Sequence, residues 1–150
     1  MKNSDIQAII YGSFVLYMID VMLSKQDKVK GSTVKLKQAI SKKLSNKEYI
    51  PYRKLSDEVW MKTIDELKDK GLQVVPFQFI ENIILDNDEK FTSFYGSNII
   101  DIAGNFVMKN TIDVKDRELM RKVIFDTTEL TDTLKKNASK IIYEYNKKHK

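Results

Sequence analysis

The sequence of 150 residues contains no cysteine and a single histidine, His149, the next-to-last residue. The lack of cysteine excludes disulfides, thiolate nucleophiles and thiolate metal sites. Catalytic and metal-binding histidines need an imidazole held rigidly inside a packed pocket, which such a position does not favour. We therefore expect no catalytic residues, no metal site and no cofactor, and we predict a protein that is not an enzyme.

Proline and glycine are also scarce, with two and five residues respectively. Because these residues form the turns that a β-sandwich needs in quantity, their scarcity favours long helices. The length suits one hydrophobic core, and 42% hydrophobic with 31% charged residues is ordinary for a soluble globular protein. We predict a single, compact, mainly α-helical domain over residues 1–150.

Arginine is the third scarce residue. Only 3 of the 26 basic residues are arginine, although the net charge is +5. Arginine is preferred for bidentate contacts to guanine and phosphate, so a lysine excess favours loose phosphate attraction over sequence-specific reading. Lysine, isoleucine and asparagine together supply 49 residues. All three have AT-rich codons, which indicates a low-GC bacterial or phage genome and gives the charge a simple non-functional explanation.

An apolar run over residues 6–23 is the longest in the chain. It is almost long enough to cross a bilayer, but Asp20 interrupts it at a cost of about 2.5–3.5 kcal/mol if placed near the bilayer centre. The preferred interpretation is a helix buried on most sides within the domain, and membrane attachment is the alternative. No small-residue cleavage site follows the run, so we expect a cytoplasmic or virion-associated protein without a signal peptide.

Residues that typically end or cap helices divide the middle of the chain into segments. Residues 45–47, together with Ile50 and Pro51, are expected to end the second helix. Ser56 is expected to cap the third helix, and Gly71 to stop it. Residues 72–112 are less regular, with a helix beginning at Pro76 or one short β-hairpin as the two interpretations.

The C-terminal segment has the most regular pattern. Asp113 is expected to cap a helix of about 33 residues, whose apolar residues recur at steps of four and three. Threonine and alanine weaken the middle of this seam, so it is expected to pack across its own domain or to dock on a partner. The candidate partner-binding residues are Met120, Ile124, Leu134, Ile141 and Tyr145.

These features favour a non-enzymatic assembly or interaction protein that binds copies of itself or other proteins, as a structural subunit of a phage or bacterial complex. The alternative is a lysine-rich accessory protein that binds nucleic acid, helped by a basic and aromatic stretch around Tyr49 and Tyr52. A third possibility is attachment to a membrane through residues 6–23. The candidate nucleic-acid-binding residues are Lys35, Lys37, Lys42, Lys43, Lys147, Lys148 and Lys150.

Overall fold

The computed structural model describes residues 1–25, 31–71, 80, 83–109 and 117–149. Residue 80 and residues 83–86 are helical, and no strand occurs among the described residues. The mainly α-helical class is therefore confirmed. Residues 72–79 and 110–112, at the two ends of the segment that suggested a hairpin, lie outside the described part. The elements are α1 (Asn3–Lys25), α2 (Gly31–Leu44), a 3-10 turn (Lys47–Tyr49), α3 (Ile50–Asp69), α4 (Asp88–Tyr95), α5 (Ile99–Lys109) and α6 (Arg117–Lys148).

Helix α1 forms the centre of the fold and contacts α2, α3, α4 and α6. Its residues from Ile6 to Ile19 are buried on nearly all sides, as predicted for a helix enclosed by others. The apolar run is thus used as core, because burying large aliphatic side chains is the main favourable term in folding. The buried side chains of α1 are Ile6, Ala8, Ile9, Ile10, Tyr11, Phe14, Val15, Met18 and Ile19.

The junction between α2 and α3 agrees with the prediction only in part. Helix α2 ends at Leu44, directly before residues 45–47 as predicted, but Pro51 lies in the first turn of α3 instead of contributing to the end of α2. Proline is well suited to that turn, because the N–H it lacks would have no partner there. Ser56 is therefore inside α3 and does not cap it: its side chain is buried, and its Oγ donates to the carbonyl oxygen of Arg53 at 2.8 Å.

Gly71 follows the end of α3 as predicted. Its φ of +72° lies in the left-handed region that favours glycine after a helix. Residues 83–86 are helical, and α4 begins at Asp88. Only Asn87 interrupts the two helical stretches. Its buried side chain donates from Nδ2 to the carbonyl oxygen of Ile83 at 2.9 Å.

Four helix termini meet at one end of the bundle. Arg53 near the start of α3 donates to the carbonyl oxygen of Leu44 at the end of α2, with a distance of 3.1 Å. The ring of Tyr145 near the end of α6 lies 5.5 Å from that of Tyr52 at the start of α3. Asn146 donates to the side chain of Asn3 at the start of α1. We call this region, where α1 and α3 begin and α2 and α6 end, the junction end.

Candidate functional site

A cleft of about 550 Å³ opens between α1, α2 and α3. This volume lies in the range of ligand-binding clefts in proteins. The lining combines a few apolar side chains with serines and with charges of both signs. The lining residues are Ser13, Leu16, Tyr17, Asp20, Lys37, Ser41, Ile50, Arg53, Lys54, Ser56 and Asp57.

Two large apolar side chains of the cleft are exposed to solvent. Tyr17 is 54% exposed and Ile50 is 42% exposed. The Tyr17 ring lies 5.9 Å from the ring of Trp60, which in turn lies 5.2 Å from the buried ring of Phe14. The exposed tyrosine is therefore supported from behind by aromatic contacts that lead into the core, and it is held in place before any partner arrives.

The charges around the cleft are partly fixed by partners inside the chain. The ammonium of Lys37 lies 2.7 Å from the carboxylate of Asp20, and this ion pair links α2 to α1. Arg53 is held by the carbonyl oxygen of Leu44. Within the described residues no ion pair forms to Lys54 or Asp57, and both residues are exposed.

Two of the three serines that line the cleft use their hydroxyl groups within their own helices. Ser13 donates to the carbonyl oxygen of Ile9, and Ser56 donates to that of Arg53, both within their own helices. An activated serine needs a base within hydrogen-bonding distance. The two hydroxyl hydrogens are instead used by the backbone.

Perturbed titratable groups gather elsewhere, on the side of α1 that faces residue 86. Burial and then the nearby Asp86 carboxylate raise the pKa of Tyr11 well above its usual range. Burial and then Lys135 lower the pKa of Lys90, while Asp86 acts against them. Asp86 itself forms an ion pair with Lys135 of α6. Burial and one ion pair account for these shifts, and the buried phenol stays protonated at neutral pH.

Two kinds of feature are absent from the described residues. There, no three histidine, aspartate or glutamate side chains cluster closely enough to hold a metal ion. In the same part of the chain, none of the helices combines the length and the apolar character needed to cross a bilayer.

The apolar seam of α6 turns inward. Leu134 and Ile141, predicted to bind a partner, are buried in the core of this chain, and α6 packs mainly on α3. Tyr145 is half-buried between the rings of Tyr52 and His149. The side chains of Met120 and Ile124 lie outside the described residues.

The candidate lysines divide into separate groups. Lys37 forms an ion pair with Asp20. The exposed Lys35 lies two turns before Lys42 on α2, about 10.5 Å away along the helix axis. Lys42 and Lys43 are at the end of α2, and Lys147 and Lys148 are at the end of α6. These four lysines are exposed and belong to the junction end, whereas Lys150 lies outside the described residues.

A notch of about 420 Å³ lies beside Lys42 and Lys43. The Lys43 ammonium sits 5.0 Å from the centre of the Phe94 ring, which also contacts the ring of Tyr49. The described residues that line the notch include no carboxylate. They are Ala39, Lys42, Lys43, Ser45, Asn46, Tyr49 and Tyr95.

Comparison with known protein families, curated proteins and solved structures finds no match to this chain. The cleft and the notch are therefore interpreted from their own residues. The cleft was not predicted from the sequence, since its lining comes from three helices whose packing no local pattern reveals. Asp20 was the one residue of the sequence that pointed to the cleft. A carboxylate within an apolar helix requires either solvent or a cationic partner, and here it pairs with Lys37.

Proposed function

We propose that this chain is a non-enzymatic interaction module that docks a segment of a partner protein in the cleft between α1, α2 and α3. The observation that carries the proposal is the exposure of Tyr17 and Ile50 within one cleft. Tyrosine is enriched among residues that dominate binding energy at protein interfaces. Exposed apolar side chains that line a concave surface are typical of docking sites, whereas scattered ones are ordinary.

The support behind Tyr17 favours a stable partner contact. A side chain already held by Trp60 loses little rotational freedom when a partner binds, and such preorganisation lowers the entropic cost of association. The Asp20–Lys37 ion pair similarly fixes one wall of the cleft. Polar groups around an apolar centre resemble the rim that surrounds the core of protein interfaces.

The charges predict the chemistry of the partner segment. Asp20 is neutralised by Lys37, which leaves Arg53 and Lys54 against Asp57, a surplus of one positive charge. We therefore expect a segment with an aliphatic or aromatic anchor, for contact with Tyr17 and Ile50, and a neighbouring carboxylate, for contact with Lys54. Charge complementarity of this kind contributes mainly specificity and association rate.

The test is selection of peptides from a random displayed library against the immobilised full chain. We expect the selected peptides to converge on an apolar anchor beside aspartate or glutamate. Their dissociation constants should rise about tenfold on Tyr17→Ser, a loss of about 1.4 kcal/mol. Tyr143→Ser is the matched control, because Tyr143 is 69% exposed but does not line the cleft, and it should leave binding unchanged.

Charge variants test the predicted chemistry separately. Lys54→Gln should weaken the selected peptides and Asp57→Asn should strengthen them, since the first removes a favourable charge and the second an unfavourable one. Failure of the peptides to converge, or equal binding by the Tyr17→Ser variant, would contradict the proposal. A dimer of this chain that Tyr17→Ser dissociates, measured by light scattering, would replace the partner protein with a second copy.

The proposal extends to membership of a larger bacterial or phage complex. That finer part rests only on the abundance of lysine, isoleucine and asparagine, which have AT-rich codons, and on the small size of the chain. Cross-linking from position 17 in cells of such a host, followed by sequencing of the linked peptide, would identify the complex.

A further inference from the structure

Basic side chains are concentrated where helix ends meet. The adjoining ends of α1, α2, α3 and α6, with the 3-10 turn, carry eight basic and three acidic residues. The other 18 basic and 18 acidic residues of the chain balance, so this region accounts for the whole net charge of +5. The basic residues are Lys2, Lys42, Lys43, Lys47, Arg53, Lys54, Lys147 and Lys148, all exposed, and the acidic ones are Asp5, Glu48 and Glu144.

Three contacts bring these separate segments together. Arg53 joins the start of α3 to the end of α2, the rings of Tyr52 and Tyr145 join α3 to α6, and Asn146 joins α6 to α1. The lysines at the end of α2 and those at the end of α6 are about 100 residues apart in sequence, yet they occupy the same end of the bundle. A charge excess caused by codon usage alone would be spread along the chain.

The notch gives this charged end a concave centre. Lys42 and Lys43 line it with the hydroxyl of Ser45, the amide of Asn46 and the ring of Tyr49. Cations interact favourably with an aromatic face, and this contact with Phe94 orients Lys43. Ammonium groups and polar side chains are the groups that contact the phosphates of nucleic acids.

We propose that the junction end binds nucleic acid through its phosphate backbone, without sequence preference, with the Lys42–Lys43 notch as its centre. Lysine supplies positive charge without the bidentate geometry that reads base edges. The Tyr49 ring in the notch favours single strands, because unpaired bases stack on aromatic side chains. A concave notch lined by two lysines also fits a phosphate chain better than it fits the flat surface of a membrane.

The test measures binding of the full chain to a fluorescein-labelled 20-nucleotide oligo(dT) by anisotropy, from 50 to 200 mM salt. If Lys42, Lys43, Lys147 and Lys148 each contact one phosphate, the slope of log K against log salt is about −2.8 for a single strand. Affinity then falls about fiftyfold across this range. The double variant Lys42→Gln/Lys43→Gln should reduce the slope to about −1.4.

The matched control is Lys68→Gln/Lys140→Gln, which removes the same charge from exposed lysines away from the junction end. It should keep the slope and most of the affinity, and circular dichroism should show that both double variants remain folded. Equal losses in the two variants would mean that only net charge matters, and would overturn the proposal. So would absence of binding at 50 mM salt, or tighter binding to vesicles containing anionic phosphatidylserine than to the oligonucleotide. A duplex that binds more tightly than the single strand would overturn the role assigned to Tyr49.

Discussion

Replacing Gly12 by alanine tests the packing at the centre of the fold. Gly12 lies within α1, and a β-carbon there would lie 1.9 Å from Oη of Tyr95, 2.8 Å from its Cζ and 3.3 Å from Cγ2 of Ile40. The Tyr95 hydroxyl donates to the carbonyl oxygen of Ala8. The phenol must therefore move, and that hydrogen bond must break, to admit a single methyl group.

The expected change combines opposing contributions. Alanine in place of a helical glycine gains about 1 kcal/mol of helix propensity. Against this, overpacking costs about 1–3 kcal/mol, and a buried hydroxyl without a partner costs about 1–3 kcal/mol. We expect Gly12→Ala to lower the free energy of unfolding by about 3 kcal/mol, which corresponds to a fall in Tm of about 6–12 °C for a domain of this size.

Urea unfolding followed by circular dichroism measures this change. Gly104→Ala is the matched control, because Gly104 lies in α5 with no atom within 4 Å of its added β-carbon. It should gain about 0.5–1 kcal/mol from helix propensity alone. Tyr95→Phe in the Gly12→Ala background should recover part of the loss, since it removes the nearest clashing atom. A Gly12→Ala protein as stable as the parent would refute the packing of Tyr95 on α1.

Three further predictions concern the core, a helix end and alkaline pH. Nδ2 of the buried Asn137 donates to Oγ1 of Thr63 at 3.0 Å, and Oδ1 of Asn137 has no partner. Thr63→Val removes the acceptor of this hydrogen bond, so the free energy of unfolding measured in urea should fall by about 1–3 kcal/mol. The double variant Thr63→Val/Asn137→Leu should regain this stability, because it also removes the unpartnered amide. A double variant no more stable than Thr63→Val would contradict the assigned cost of the buried amide. Gly71→Ala should cost about 1–2 kcal/mol in the same assay, because its φ of +72° is strained for alanine, whereas Gly71→Asn should cost less. Burial raises the pKa of Tyr11 above its unfolded value of 10.0. The contribution of the buried, protonated phenol to the free energy of unfolding is therefore fully present below pH 10. Above pH 10 the unfolded state holds fewer protons than the native state, and the unfolding free energy should fall by about 1.4 kcal/mol per pH unit from this residue. Tyr11→Phe should make that fall shallower, and an unchanged pH profile would contradict the burial of the phenol.

The central helix was predictable from sequence because composition alone required it. Residues 6–23 are too apolar to lie on a surface, and a chain with few turn residues can bury them only among other helices. Gly71 was predictable for a similar reason, since a glycine after an amphipathic stretch is the usual helix stop. In both cases the deciding information lies within a few turns of the residue itself.

The start of α3 shows why boundaries were harder to predict. Pro51 disfavours helix in the residue before it and favours the first turn of a helix, so one residue supports an end for α2 and a beginning for α3. Ser56 before Asp57 and Glu58 resembles a cap, yet its hydroxyl serves equally well inside a helix by donating to Arg53. Packing of Leu55, Ser56 and Val59 against the core decides between these interpretations.

The candidate sites depend on tertiary contacts that periodicity does not encode. The spacing of Leu134 and Ile141 correctly indicates an apolar face, but the same spacing serves a partner or the protein's own α3. In this structure the apolar face of α6 packs on α3. Likewise, Lys43 and Lys147 belong to one end of the bundle only because the ends of α2 and α6 each contact the start of α3, and their sequence separation gives no indication of it.

Arg53 links the two proposed binding surfaces. Its guanidinium lines the cleft and, through the carbonyl oxygen of Leu44, holds the end of α2 that carries Lys42 and Lys43. A partner segment whose carboxylate drew Arg53 away from Leu44 would loosen the notch, whereas one that bound only Lys54 would leave it intact. Because coupling between two binding sites is reciprocal, nucleic acid at the junction end would then weaken partner binding by the same factor. The position of this one side chain therefore decides whether the two surfaces act together or separately.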